Sequence, residues 1–387
     1  MKIAVLAVST NIHTVRWVNG IAERGIDVVL MTQQRPRASD FHPSVTISLL
    51  PFRGLFAYAL NAPMLRVLFD RSGADLLHVQ YAGGYGVMSF LSGIRRRLVS
   101  VWGGDVYVVP HRSRLHRLFI VAALQSALRI TSTSRVMAQQ VRRLGVTRPI
   151  DVIPFGVDTG LFQPAPQTDS GRRLVVGTVK TLQPKYGIDT LIRGFVAALA
   201  DPAFARLDPV LRIAGAGSAR AQYEALAEAI GRDKVRFEGH VEHAQVPELL
   251  RTFDIYVAVS REDSESFGVA VIEASACGVP VIVSDVGGLP EVVDDGKSGL
   301  IIPRDAPMCL ARALTQLAAD PALRRRLGSA GRQKVMREYE WAHCVDQMIA
   351  TYAEVIDEVD AHPQEVPGRS PKETGSCSSM ATMPGSH

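Results

Sequence analysis

Aromatic residues make up only 6% of the 387 positions and are not interleaved with the clustered basic residues. Single-stranded nucleic acid is gripped by aromatic platforms set among cations, so no nucleic-acid partner is expected. Cysteine is equally sparse. Cys277, Cys309, Cys344 and Cys377 lie scattered, with neither metal-type spacing nor a disulfide framework. That argues against a metal site and fits a reducing cytoplasm. No apolar run approaches the ~20 residues of a membrane span, and Ile3–Val8 reads as a strand rather than a signal peptide.

Acid is what the first half lacks. Residues 1–165 hold 18 Arg and one Lys against eight Asp and Glu, an excess of eleven, whereas the whole chain carries +5. The excess concentrates at Arg95-Arg-Arg97, around Arg112, Arg114 and Arg117, and at Arg142-Arg143. Such a surface suits an anionic partner: a membrane face, a lipid diphosphate or an acidic glycan.

Length and a 47% hydrophobic content suffice for two domains. Apolar runs at Ile3–Val8, Val28–Thr32, Leu76–Gln80, Arg97–Trp102 and Ala127–Ser132 read as buried parallel strands. Stretches such as Thr14–Arg24 and Ser134–Leu144 read as their crossover helices. A Pro- and Gln-rich linker falls at 163–172, and the alternation then restarts. Leu174–Val179, Val210–Ala214, Val235–Glu238, Ile255–Val259, Val281–Ser284 and Gly299–Ile302 are the second set of strand candidates. Helices are expected at Gly187–Ala200, Ala219–Ile230, Val246–Arg251 and Phe267–Cys277. The class is α/β: two Rossmann-like units, 1–165 and 172–340, facing across a cleft at the carboxyl ends of their strands. A polar tail, 361–387, is expected to be disordered.

Two glutamates eight residues apart, Glu265 and Glu273, carry the most chemistry. With a helix starting near Phe267 they would stand ~12 Å apart, beyond the reach of a glycosidase pair. That spacing suits two hydroxyl-bearing parts of one extended ligand. Gly268 between them would let a phosphate approach the free N–H groups of the helix start. Lys180 and Lys185 flank a turn after a strand, where two cations could neutralise a leaving diphosphate. Gly215-Ala-Gly217 invites a dinucleotide reading, but no acid follows at the required distance, and close packing explains these glycines better. Asp105 ends a strand and either faces the cleft or caps a turn. His13 and Arg16 lie at the first strand-to-helix turn, on the cleft side.

These segments together resemble glycosyltransferase family 4, the retaining enzymes with the GT-B fold. In the second half the match rests on Gly177-Thr-Val, Pro184-Lys-Tyr-Gly187, Ile213-Ala-Gly-Ala-Gly217, Val235-Arg-Phe-Glu-Gly239, Glu265 to Glu273 and Gly287-Gly-Leu-Pro-Glu291. In the first half it rests on His13 to Asn19, Trp102-Gly-Gly-Asp-Val106 and Val152 to Asp158. The resemblance implies that Glu265 binds donor-sugar hydroxyls, with Phe267 and Gly268 at the phosphate end, and that Glu273 holds the ribose. It adds Gly215, Gly239, His13 and Arg16 to the substrate site, and implies a last helix, 341–360, crossing back onto the first unit. The family's usual Arg and Lys positions are Thr181 and Tyr186 here, so Lys180 and Lys185 are expected to substitute. A first-domain histidine is replaced by Trp102-Gly-Gly-Asp105, and Asp105 is expected to take over its contact.

The implied activity is retaining, metal-independent hexosyl transfer from a UDP- or GDP-linked donor to an acceptor hydroxyl, without a cofactor. A glycan or lipid-linked acceptor bound by the basic first unit is expected, in bacterial surface-polysaccharide or glycolipid synthesis. The setting would be the cytoplasm, at the inner face of the membrane. A sugar-nucleotide epimerase and a non-catalytic sugar-nucleotide-binding protein are the alternatives.

Overall fold

Continuous apolar runs become central strands because a parallel sheet is covered by helices on both faces. The structure, a computed structural model, describes residues 1–361 apart from 55, 166–172, 229 and 232. Among the described residues the first sheet contains β1 (Lys2–Leu6), β2 (Asp27–Thr32), β3 (Thr46–Leu49), β4 (Leu76–Gln80), β5 (Arg97–Val101), β6 (Arg129–Ser132) and β7 (Ile150–Val152). Their order is β3-β2-β1-β4-β5-β6-β7, every pair parallel. β4 and β5 are buried along their whole length.

The second sheet contains β8 (Val175–Val179), β9 (Val210–Ala214), β10 (Val235–Gly239), β11 (Ile255–Ala258), β12 (Val281–Ser284) and β13 (Leu300–Ile302). It is ordered β10-β9-β8-β11-β12-β13 and is again all parallel. The expected strands all form, with ends shifted by up to two residues. Two more, β3 and β7, sit at the edges of the first sheet. The expected tail and most of the expected linker lie outside the described residues.

The last helix among the described residues, Trp341–Ala361, packs on the first sheet's layer rather than the second's. The Trp341 ring meets Trp17 at 4.9 Å between centroids, and Arg24 pairs with Asp346 at 3.0 Å. Beneath it, the Tyr352 hydroxyl hydrogen-bonds His78 Nδ1 at 2.6 Å, and His78 Nε2 hydrogen-bonds Ser100 Oγ at 2.7 Å. Complete burial holds the His78 imidazole down to about 3, so it stays neutral in the folded chain.

A histidine depressed on folding binds its proton only in the unfolded state at mild acidity. His78 therefore contributes stability that is full above pH 6.5 and is lost as the pH falls toward its folded value. Between pH 6.5 and 5 that loss is about 2 kcal/mol. Urea unfolding at both pH values should show it, together with a similar loss from His13, which is held down to about 4, and His78→Gln should remove about half of the difference. An equal pH dependence in that variant would rule His78 out as the source.

Candidate active site

The carboxyl ends of both sheets open onto one cleft of about 750 Å³. From the first unit come Asn11, His13, Arg16, Tyr81, Trp102 and Phe155; from the second, Lys180, Lys185, Gly215, His243, and the segment from Ser264 through Ala270 to Glu273. Of the residues singled out in the sequence, Lys180, Lys185, Gly215, Glu265, Phe267, Gly268, Glu273, His13 and Arg16 line it. Asp105 and Gly239 do not.

Lys180 follows the end of β8, and its Nζ lies 2.6 Å from Glu265 Oε2. Ser260 Oγ donates to the same oxygen at 3.1 Å. Burial pulls the Lys180 ammonium down, but Glu265, Tyr256 and Tyr186 outweigh it and hold the group above its ordinary value. Lys180 and Lys185 both approach the ring of Tyr186, at 4.6 and 4.8 Å from its centroid. Among the described residues Lys185 has no ion-pair partner, so its charge is available to a ligand.

Backbone contacts fix this arrangement. The Arg261 N–H donates to the Lys185 carbonyl at 2.9 Å, and its guanidinium reaches Asp189 at 2.8 Å. The Lys185 turn and the loop bearing Glu265 are thereby stitched together. Gly215 explains the Gly-Ala-Gly motif as a packing device. It has φ 141°, and a Cβ there would stand 1.9 Å from the Lys180 carbonyl oxygen.

Beyond Glu265 the chain enters the helix Val269–Ala276 through Gly268, at φ 92° and ψ 52°. The helix begins two residues later than expected because this left-handed residue precedes it. No side chain caps the helix, and while the Val271 and Ile272 N–H groups turn back to the Gly268 carbonyl, those of Val269 and Ala270, both at the cleft, are left for an anion to approach. Glu273 lies on this helix and accepts from His243 Nε2 at 3.0 Å. His243 was not singled out in the sequence. It follows the end of β10 by four residues, where loops reach a doubly wound cleft, and that position was the available signal.

On the facing wall, His13 stacks on Phe155 with ring centroids 4.3 Å apart. Burial, with Arg16 and His243 nearby, holds it down to about 4. It is a neutral imidazole at neutral pH. The Arg16 guanidinium lies 4.4 Å over the Trp341 ring and donates to the Gly156 carbonyl at 3.3 Å. The two walls touch where Ser266 Oγ donates to the Trp102 carbonyl at 3.0 Å. Glu291 makes a second bridge: it accepts from the N–H groups of Arg135 and Val136 at 2.9 and 2.6 Å, at the start of the helix Arg135–Arg143.

Two expectations need correction. Asp105 is fully buried, and its carboxylate accepts from the N–H groups of Ala82 (2.9 Å), Trp102 (3.1 Å) and Gly103 (2.8 Å). It therefore ties the loops after β4 and β5 together instead of reaching a ligand. Gly239 lies behind the wall, its carbonyl accepting from Gly215 N–H at 2.7 Å. Asp105→Ala would leave three donors without an acceptor, which should cost about 2–4 kcal/mol of stability. Asp105→Asn should recover part of it. A melting temperature unchanged in the alanine variant would contradict this role.

Comparison with known proteins agrees with this geometry. The family model described as glycosyl transferases group 1 matches residues 163–334, and that described as glycosyl transferase 4-like matches residues 2–134. A D-inositol 3-phosphate glycosyltransferase of Geodermatophilus obscurus is 30% identical, over 92% of this chain and 87% of its own. One from Thermobifida fusca is 29% identical, over 89% and 88%. Among solved structures, a sucrose-phosphate synthase of Thermosynechococcus elongatus superposes with a TM-score of 0.78 at 23% identity, covering 92% of this chain and 100% of that one. Anabaena HepE in complex with UDP-glucose gives a TM-score of 0.75 at 18% identity, covering 92% and 100%.

Proposed function

The chain belongs to glycosyltransferase family 4 and has the GT-B fold, and from there we propose that it moves a hexose-type sugar from a UDP- or GDP-linked donor to an acceptor hydroxyl. One observation carries this reading. The Glu265–Lys180 pair, Lys185 (without an ion pair among the described residues) and the uncapped helix start at Gly268 converge on one wall of the cleft. A carboxylate beside cations and free N–H groups suits a sugar joined to a diphosphate.

In this reading Glu265 orients the donor-sugar hydroxyls, and Glu273, steadied by His243, holds the ribose. Phe267 and Gly268 line the phosphate end. Lys180, Lys185 and the helix start stabilise the charge that develops on the departing nucleotide, the task a metal performs in other transferases, so transfer is metal-independent. Retention by attack on the face the nucleotide leaves, with the departing phosphate taking the acceptor proton, fits a cleft whose carboxylates are engaged with Lys180 and His243. The first unit, with Arg16 and neutral His13 on its wall, receives the acceptor.

The arginine excess of that unit favours a lipid-linked or membrane-proximal glycan. In this reading the work is done at the inner face of a bacterial membrane, in surface-polysaccharide or glycolipid synthesis. Melting the protein with UDP- and GDP-sugars tests the donor. A ligand at about 100 times its Kd adds roughly 2.7 kcal/mol. No shift with any of them would overturn the reading. A stereoisomer of the donor formed without acceptor would replace transfer by epimerisation.

A further inference from the structure

The helix Ala57–Ser72 is apolar on two sides. One side, through Ala57, Ala62, Leu65 and Phe69, is buried in the first unit. On the other, Phe56, Leu60 and Met64 follow at four-residue steps, one side-chain stripe. Phe56 is 73% exposed and Leu60 52%. The stripe begins in the connection after β3, on the carboxyl-end side of the first sheet, where buried Asn61 accepts from the Phe52 N–H at 3.1 Å and donates to its carbonyl at 2.9 Å.

A second helix, Arg114–Gln125, packs with the first against the intervening helix Gly84–Leu91, so the three form one layer. It too turns apolar side chains outward: Leu115 is 60% exposed and Leu118 63%. Cations stand among them. Arg53, Arg71, Arg112, Arg114 and Arg117 are all exposed, and the one exposed acid of these two helices, Asp70, is paired with Arg66 at 2.7 Å.

An aqueous surface gives no reason to display aligned leucine, methionine and phenylalanine on two neighbouring helices, and patches of this kind mark interaction sites. We propose that this layer docks on an anionic lipid bilayer, its apolar side chains entering the interface and its arginines meeting the headgroups. Charge decides the occupant. A second copy of the chain would bring the same uncompensated arginines against themselves, whereas a negatively charged bilayer answers both the cations and the apolar stripe. The inference rests on the reading of a membrane-held acceptor and makes it specific: the unit proposed to receive the acceptor is laid against the surface from which that acceptor would be taken.

The test is sedimentation of the full chain with phosphatidylcholine vesicles, with and without roughly one-third phosphatidylglycerol. Binding is expected to the anionic vesicles, weakening as salt rises. Each arginine is worth about fivefold in partition, so Arg112→Ser/Arg114→Ser/Arg117→Ser should weaken binding about 100-fold. Phe56→Ser/Leu60→Ser should weaken it at least tenfold. In Leu60→Trp, brominated lipid should quench the new indole.

Vesicle binding unchanged by these substitutions, an unquenched indole, or a wild-type dimer that Phe56→Ser/Leu60→Ser makes monomeric would each overturn the proposal. The donor-induced thermal shift, measured on the same variants, separates this outcome from the previous one. Loss of vesicle binding with the shift intact shows the face acting independently of the cleft. Vesicle binding by a wild-type chain that shows no donor shift sinks the transfer reading alone.

Discussion

Glu265→Ala should lower kcat/KM by about 10²–10³-fold, the scale of a lost contact to charge developing in the transition state. Two losses combine in it. In the proposed reading the donor sugar loses the carboxylate that orients its hydroxyls, and Lys180 loses the partner 2.6 Å away. The second loss has its own signature. Burial pulls the Lys180 ammonium down, and Glu265 is the foremost group opposing it. With the carboxylate gone, Lys180 should release its proton at lower pH than in the wild type, so activity in the variant should fall earlier on the alkaline side. Lys185→Ala should reduce kcat/KM on the same 10²–10³ scale but leave the pH profile in place. Near-normal turnover in either variant would remove that residue from the site, and an unshifted profile in Glu265→Ala would separate Lys180 from it.

Gly215→Ala adds a single methyl group and should nevertheless abolish donor binding. The new Cβ would stand 1.9 Å from the Lys180 carbonyl oxygen, on a backbone at φ 141° that a side chain rarely adopts. Backbone atoms on both sides leave no flexible side chain to yield. The expected cost is about 2–5 kcal/mol, combining backbone strain with overpacking, and the Lys180 turn must move to relieve it. Loss of the donor-induced thermal shift, with a lowered urea midpoint, is the result to look for. A variant that kept both would show that the turn has slack the close contact does not suggest.

The central strands were legible because burial on both faces writes a strand as an unbroken apolar run. β3 (Thr46–Leu49) and β7 (Ile150–Val152) were not, for the same reason inverted. Each lies at a sheet edge with every side chain partly or fully exposed, so neither carries that signature. In the cleft, residues whose place follows from chain position could be read: Glu265 and Glu273 flanking a helix start, Lys180 and Lys185 flanking a turn. Asp105 could not be. A carboxylate after two glycines at a strand end serves a ligand or the backbone equally well, and only the placement of Ala82, Trp102 and Gly103 decides between them. Tyr81 was equally hidden. It lines the cleft with φ 84°, an unusual conformation for a non-glycine residue, and nothing in the residue's identity announces it.

The helix Trp341–Ala361 is the last of the described elements, yet it covers the sheet built from the first part of the chain. Severing the polypeptide between its two sheets would therefore not give two self-sufficient pieces. The amino-terminal fragment would expose the Trp17 and His78 surfaces that Trp341 and Tyr352 now cover, and would stay insoluble or unfolded until that helix was added back as a peptide.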